Sequence, residues 1–444
     1  MRKHVLGNKS DISGLPLTEN MIYFVDNLPG EISQVLDKIS TSGGGVWIVG
    51  GAVRDAAMGL IPADIDLATD LMPERLIEIF PDAIKTGVAF GTVTLKSGTY
   101  LLQTTTLRVD GEYHDGRRPD SVEWNLSLHQ DLKRRDFTIN SMAIDVARRR
   151  YYDPNGGMED IAQKVIRCVG NSRLRINEDA LRILRAYRFL SQISSANWRL
   201  DISLSRVIED CSYLINELSK ERVWQELSKI LGSKKANKTL QIMHNDGVLS
   251  VIFGWENRHN EKLFLALEDA TELDATALFV LLNYHLNEID LERICKQLKL
   301  SNNDRRKIVH FNTLARTIPK HEVEDLRLHR HLAGSDWEQI AMLRYIFCQH
   351  NIDKKFSHTD SSNVNAILES LRKLPPLAFN KPIFDGNWLM TVTNISQGEK
   401  LGRLIEWLFR IQIENDLQTL PEIESYLVKI QWQNSDFSQW PRLI

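Results

Sequence analysis

Asp64-Ile65-Asp66 carries the strongest chemical signal in the chain. On a strand, residues i and i+2 face the same way, so both carboxylates would converge on one site. Two carboxylates held that close repel unless cations lie between them. Mg2+ suits the arrangement, because it is a hard cation bound by one or two carboxylates together with substrate phosphates. Two solvated turn residues would have the same spelling. The preceding stretch Val49-Gly50-Gly51-Ala52-Val53-Arg54-Asp55 shifts the reading. Residues without Cβ let backbone N–H groups approach a triphosphate, and Arg54 adds a charge-assisted donor. A simple turn is the plain alternative for Gly50 and Gly51. A complete G-x-G-x-x-G does not occur there, so the dinucleotide-binding reading is weak.

Two further clusters stand out. In Arg134-Arg135-Asp136-Phe137-Thr138-Ile139-Asn140 the arginines could clamp phosphates, while Asp136 and Asn140 offer partners for ribose hydroxyls. A solvated basic turn leading into a structural helix accounts for it equally well. In Glu178-Asp179-Ala180-Leu181-Arg182-Ile183-Leu184-Arg185-Ala186-Tyr187-Arg188-Phe189, helical spacing places Asp179 and Arg182 side by side on one face. An ordinary surface ion pair, worth tenths of a kcal/mol, is the bland reading of that pair. Arg327, His329, Arg330 and His331 read as a solvated or RNA-facing surface rather than metal ligands. Lys234, Lys235, Lys238 and Arg305-Arg306-Lys307 are phosphate-contact candidates or plain solvated helix faces.

The elements that must position these groups change character along the chain. Helix is expected from about Met21 to Ile39, interrupted at Pro29-Gly30, and strands at 46–49, 65–68, 91–95 and 100–106, with a hairpin signal at Ser97-Gly98. A short helix between Asp70 and Phe80 has Pro73 in its first turn. Beyond Pro154-Asn155-Gly156-Gly157 strand signals almost vanish, and helical spacing appears over Glu178–Ile193, Glu221–Leu231 and Ala275–Asn287. The fold class expected is α+β, a mixed α/β head followed by mostly helical segments. At 444 residues with 43% hydrophobic and 25% charged composition, the chain is long enough for about three domains, and wholesale disorder is unexpected. No apolar run approaches a bilayer span of about 18–20 residues, and the N-terminus lacks the apolar core of a secretory signal. Four scattered cysteines fit a reducing compartment, so a cytoplasmic location is expected. A net charge of −3 gives no bulk argument for nucleic acid, leaving that question to local residues.

Taken together, the segments 49–55 with 64–66, Asp110–Pro119, 134–140, Asp153–Gly157 with Glu159-Asp160, 178–189 and Glu221–Leu227 resemble, in order, the class II tRNA nucleotidyltransferase and bacterial poly(A) polymerase family of the DNA polymerase beta-like superfamily. The resemblance is dense over 45–231, with a weaker echo at Asp385–Met390 and Gln397–Leu404. It implies an N-terminal arm and helix (1–40), a nucleotidyltransferase head or palm (41–150), a helical neck that reads the nucleobase (151–235), a helical body (236–330) and a helical tail that binds tRNA (331–444). It implies that Asp64 and Asp66 hold two Mg2+ ions, that Gly50, Gly51, Arg54, Arg134 and Arg135 serve the triphosphate, and that Asp136 and Asn140 meet the ribose. Asp179 and Arg182 would read cytosine and adenine, with Glu178, Arg185 and Arg188 around them. Both bases present an amino donor beside a ring-nitrogen acceptor, whereas uracil and guanine reverse the order and leave buried groups unmatched. Glu112, Asp115, Arg117 and Arg118 fall in the flexible loop that CCA-adding and A-adding members possess and C-only members lack. Gln103 departs from the family, in which many members carry an acidic residue there. The implied activity is extension of tRNA lacking a complete 3′ CCA, from CTP and ATP, by a monomer or weak dimer with no membrane partner. An A-adding specialist, a poly(A) polymerase and a non-catalytic RNA-binding relative are the alternatives.

Overall fold

The computed structural model describes residues 10–85, 87–88, 91–110, 122–124, 127–193, 197–255, 261–352 and 361–443. They form two compact units, one of residues 1–235 with 242–258 and one of residues 236–241 with 259–444. In the first, α1 (Glu19–Asp26) and α2 (Gly30–Thr41) are separate helices, broken at Pro29 as the sequence suggests. The Thr18 hydroxyl starts α1 by accepting the Met21 amide. Strands β1 (Leu15–Pro16), β2 (Val46–Val49), β3 (Asp66–Thr69), β4 (Thr92–Ser97), β5 (Tyr100–Thr106), β6 (Arg108–Asp110), β7 (Val122–Trp124), β8 (Ala143–Asp145) and β9 (Arg150–Tyr152) follow. Seven of them make one sheet in the order β1-β9-β8-β2-β3-β5-β4, and β6 pairs with β7 separately. Only β3 and β5 run parallel in the large sheet. The β4–β5 loop is Gly98-Thr99, and Gly98 takes the positive φ (+57°) that a two-residue hairpin loop demands.

The two sheet faces bury different cores, as the period-two alternation of strands requires. Ile48, Leu67, Val93, Leu95 and Leu102 pack with Met21, Ile32, Leu36, Val53 and Leu76 from α1, α2, α3 (Gly51–Ala57) and α4 (Pro73–Ile79). Trp47, Val49, Ala68 and Ala143 face Leu128 and Leu132 of α5 (Leu128–Lys133). Beyond the sheet come α6 (Gly157–Gln163), α7 (Ser172–Glu178), α8 (Leu181–Gln192), α9 (Ile202–Cys211) and α10 (Lys220–Leu231). One continuous helix over Glu178–Ile193 is not what forms. Asp179 is extended (φ −152°, ψ 101°), and its Oδ1 accepts the Leu181 amide at 3.0 Å, capping α8 instead of continuing α7.

The second unit is helical. After α11 (Ala236–Asn245) and α12 (Val248–Phe253) the chain forms α13 (Glu261–Asp269), α14 (Ala275–Leu282), α15 (Glu288–Gln297), α16 (Asn302–Ala315), α17 (Val323–Ala333), α18 (Trp337–Gln349), α19 (Ser361–Lys373), α20 (Gly386–Thr393), α21 (Glu399–Asn415) and α22 (Leu420–Lys429). The helix expected to reach Asn287 stops at Leu282, because the Asn287 side chain accepts the Asp290 amide and starts α15. Of Arg327, His329, Arg330 and His331, expected on a solvated or RNA-facing surface, His329 is buried, while the other three are half-exposed and border a cavity of about 430 Å3. His329 is 4% exposed and lies with Nε2 2.9 Å from Nη2 of the fully buried Arg344. Arg344 donates to the Leu314 and Ala315 carbonyls at the end of α16, Arg330 to the Leu371 carbonyl in α19, and Arg327 to the Glu414 carbonyl in α21. His331 meets the Phe409 ring edge-on at 5.4 Å. These arginines complement the negative ends of helix dipoles, a demand that residue spacing does not reveal. No described helix is long and apolar enough to cross a membrane, and all four cysteines are unpaired and buried.

Candidate active site

The β2–β3 register builds the centre of the site. Val49 opposes Asp66, so the residue that follows β2, Gly50, lies beside the first carboxylate of β3. Gly50 adopts φ +73°, ψ −138°, a conformation that only glycine enters without strain. A Cβ there would sit 3.4 Å from Arg135 Nη1 and 3.8 Å from an Asp66 carboxylate oxygen. Gly51 then opens α3. Asp64 stands two residues before Asp66, just outside the strand, and also borders a cavity of about 650 Å3 ringed by Tyr23, Phe24, Leu60, Tyr100 and Leu102. Asp66 is exposed as a residue, yet enough protein surrounds its carboxyl that desolvation pushes its pKa up. The Arg135 charge opposes that rise and the Asp64 charge adds to it. Among the described residues neither aspartate has a hydrogen-bond or ion-pair partner, and no cluster of three or more metal-ligating side chains occurs. Two unpartnered carboxylates beside a glycine-lined turn fit Mg2+, which completes its shell with phosphate and water. Gln103 projects from β5 on the sheet face that Asp66 shares, since Leu67 pairs with Thr104 in the parallel β3–β5 ladder.

Arginines line the other side of the centre. Asp131 is 1% exposed and holds both members of the expected pair, with Arg134 Nε at 3.0 Å and Arg135 Nη2 at 3.1 Å. Burial alone would raise the Asp131 pKa; the two guanidiniums overcome it and keep the carboxyl below its usual range. The Val49–Ala143 pairing carries Asn140 towards α3, where its Oδ1 accepts Arg54 Nη1 at 2.9 Å. Arg54 also pairs with Asp55 at 2.7 Å. Asp136 accepts Arg185 Nε at 2.8 Å, and this pairing outweighs burial to lower its pKa. Arg188 lies 2.8 Å from Glu226 and its pKa is depressed, first by burial and then by the Arg185 charge.

Asp179 and Arg182 do not pair with each other. Asp179 Oδ2 accepts Arg222 Nη2 from α10 at 2.8 Å, while Arg182 Nη1 donates to Glu178 at 2.7 Å and to the Arg175 carbonyl at 2.6 Å. The i,i+3 helical expectation fails because Asp179 lies in the break between α7 and α8. The buried Arg182, 7% exposed, keeps Nε and Nη2 outside those two bonds. Arg222, Arg175 and Asp131 are the supporting residues that the sequence reading missed. Asp131 and Arg175 act at helical spacing, i, i+3 or i, i+4, on Arg134, Arg135 and Glu178. Arg222 instead reaches Asp179 across 43 residues and lies in Glu221–Leu227, a stretch that the resemblance covers without giving it this role. Glu112, Asp115, Arg117 and Arg118 lie outside the described residues.

Residues 46–167 match the family described as Poly A polymerase head domain, and residues 199–254 the one described as Probable RNA and SrmB- binding site of polymerase A. The CCA-adding enzyme of Listeria monocytogenes (strain HCC23) is 39% identical over 209 residues, 47% of this chain and 52% of that protein, so the chain spans about half the length of that curated relative. The CCA-adding enzyme of Lactobacillus johnsonii is 30% identical over 396 residues, 88% of this chain and 95% of that protein. Among solved structures, the Bacillus stearothermophilus CCA-adding enzyme in complex with CTP superposes with a TM-score of 0.70 at 25% identity, covering 90% of this chain and 96% of that one. With the head motifs assembled on this sheet and a relative aligned along nearly its whole length, the chain belongs to the CCA-adding enzyme family.

Proposed function

We propose that this chain is a cytoplasmic nucleotidyltransferase, a monomer or weak dimer, that adds C, C and A to tRNA 3′ ends from CTP and ATP without a nucleic-acid template, releasing pyrophosphate. The observation that carries the reading is the juxtaposition of Asp66, Gly50 and Arg135, with Asp64 next to them. Asp64 and Asp66 would hold two Mg2+ ions, which when bound activate the RNA 3′-hydroxyl and neutralise phosphate charge. The Gly50 and Gly51 backbone leaves room for the triphosphate, and Arg54, Arg134 and Arg135 offer it donors. Asn140 and Asp136, held by Arg54 and Arg185, would meet the ribose. Arg182 would donate to the base ring nitrogen through Nε or Nη2, while Asp179, steadied by Arg222, accepts from the amino group. Arg185 and Arg188 complete the cationic lining.

The test incubates the protein with Mg2+, tRNA lacking its 3′ CCA, and each NTP separately and together. The expected product is a completed CCA end, with no incorporation by Asp66→Asn. Absence of CTP incorporation would remove the CCA reading. ATP addition only onto tRNA ending in CC would identify an A-adding specialist, and long A tracts a poly(A) polymerase. Equal tRNA binding by wild type and Asp64→Ala, with turnover by neither, would identify a non-catalytic relative.

A further inference from the structure

The proposed site contains one aromatic ring whose role residue spacing does not suggest. Phe189 of α8 is 7% exposed, and three guanidiniums surround it, with Arg188 4.5 Å, Arg54 5.5 Å and Arg185 5.8 Å from the ring centroid. All three fall within the range at which a cation is attracted to an aromatic face. Phe137, from the segment that carries Asp136 and Asn140, meets the same ring edge-on at 5.6 Å. The ring therefore gathers Arg54, which comes from α3 beside the sheet, with two arginines of the base-reading helix.

These cations repel one another, and the charges of Arg185 and Arg54 both contribute to the low pKa of Arg188, after its burial. Their carboxylate partners restrain them unequally. Arg185 has well-formed hydrogen bonds to Asp136, and Arg54 has them to Asp55 and Asn140. Arg188 approaches Glu226 at 2.8 Å, but Arg188 Nε and Glu226 Oε2 are buried without hydrogen-bond geometry. The ring face thus restrains Arg188 alongside its ion pair with Glu226, and is shared by the other two.

We infer that Phe189 is a positioning residue: its ring holds Arg54 in register with Arg185 and Arg188, so that the triphosphate arm and the base-reading helix present one fixed pocket to the nucleotide. This rests on the proposed nucleotide site and deepens it. An ordinary core phenylalanine would supply the same volume but would be indifferent to the electron density of its ring.

The experiment replaces Phe189 in the full chain with mono-, di- and trifluorophenylalanine by stop-codon suppression. This drains the ring face while nearly keeping its shape. The dissociation constants of CTP and ATP are measured by equilibrium dialysis, KM and kcat are measured on tRNA lacking its CCA, and thermal midpoints are recorded. Stepwise weakening of nucleotide binding with each fluorine, reaching about ten-fold with the trifluoro ring at unchanged thermal midpoint, is the expected result. Phe189→Tyr should retain binding and Phe189→Leu lose it. Flat dissociation constants across the fluorinated series overturn the inference. Because binding is read without turnover, that outcome is distinct from whether the natural protein extends tRNA, which judges the proposed function itself.

Discussion

Replacing Arg182 by alanine separates base reading from scaffolding. Arg182 Nη1 is committed to Glu178 and to the Arg175 carbonyl, which leaves its other nitrogens for a base. On the proposed reading, losing the donor would leave the ring nitrogen of a correct base unmatched and remove the clash that rejects uracil and guanine. A mismatched buried polar group costs about 1–3 kcal/mol, so the preference for CTP and ATP over UTP and GTP should fall roughly 5- to 150-fold. The scaffold also weakens, though Glu178 keeps Arg175 at 2.8 Å, so unfolding stability should drop by about 1.5–3 kcal/mol. Single-nucleotide incorporation into tRNA lacking its CCA, with each NTP alone, gives the first quantity, and urea unfolding gives the second. A shifted urea midpoint with undiminished rejection of UTP and GTP would show that Arg182 is purely structural and that the reading pair is misassigned.

Three other perturbations probe different parts of the molecule. Gly50→Ala forces a Cβ into φ +73°, and should cost about 1–3 kcal/mol in urea unfolding and raise KM for the nucleotide; an unaltered midpoint would refute the strain argument. Gln103→Glu adds a carboxylate on the face that Asp66 shares, and should lower the Mg2+ concentration for half-maximal turnover roughly three- to ten-fold; an unchanged Mg2+ titration would show that position 103 does not reach the site. His329 is buried against Arg344, and burial first, then the Arg344 charge, pulls its pKa from 6.5 to about 3. Below pH ~6.5 the unfolded chain therefore takes up a proton that the folded chain refuses, so stability declines as pH falls towards 3, by about 1.4 kcal/mol per pH unit. This group has no effect above pH ~6.5. His329→Gln should flatten that part of the urea-midpoint profile, and an equally steep profile would place the acid sensitivity elsewhere.

Local patterns carried the head well. The apolar run after Gly43-Gly44-Gly45 marks β2, Ser97-Gly98 marks the β4–β5 hairpin and Pro29-Gly30 the α1–α2 break. Asp64, however, stands outside β3, so the i, i+2 strand rule used for the two aspartates does not describe how they come together. What stayed illegible depends on long-range contact or on competition between local forces. Spacing across Glu178–Phe189 favours one helix, but an aspartate side chain can satisfy a backbone amide itself, and Asp179 does so. Residues of α17 look like surface groups by type, yet carbonyls at the ends of α21 and α19 accept from Arg327 and Arg330, and His329 is buried against Arg344. Asp131 stands at helical i, i+3 and i, i+4 spacing from Arg134 and Arg135, a partner that local spacing does encode, whereas Arg222 reaches Asp179 across 43 residues, a tertiary placement that spacing does not.

The arginines that cap helix ends in the second unit have a consequence in solution. Arg327, Arg330 and Arg344 are committed to main-chain carbonyls, so a polyanion approaching that unit meets less cationic surface than the 55 basic residues of the chain suggest. Each phosphate actually neutralised releases condensed counterions and steepens the dependence of association on ionic strength. Affinity for a long RNA should accordingly fall with added KCl less steeply than it would if those three guanidiniums faced outward, and the steepness of that decline would count the side chains that meet phosphate.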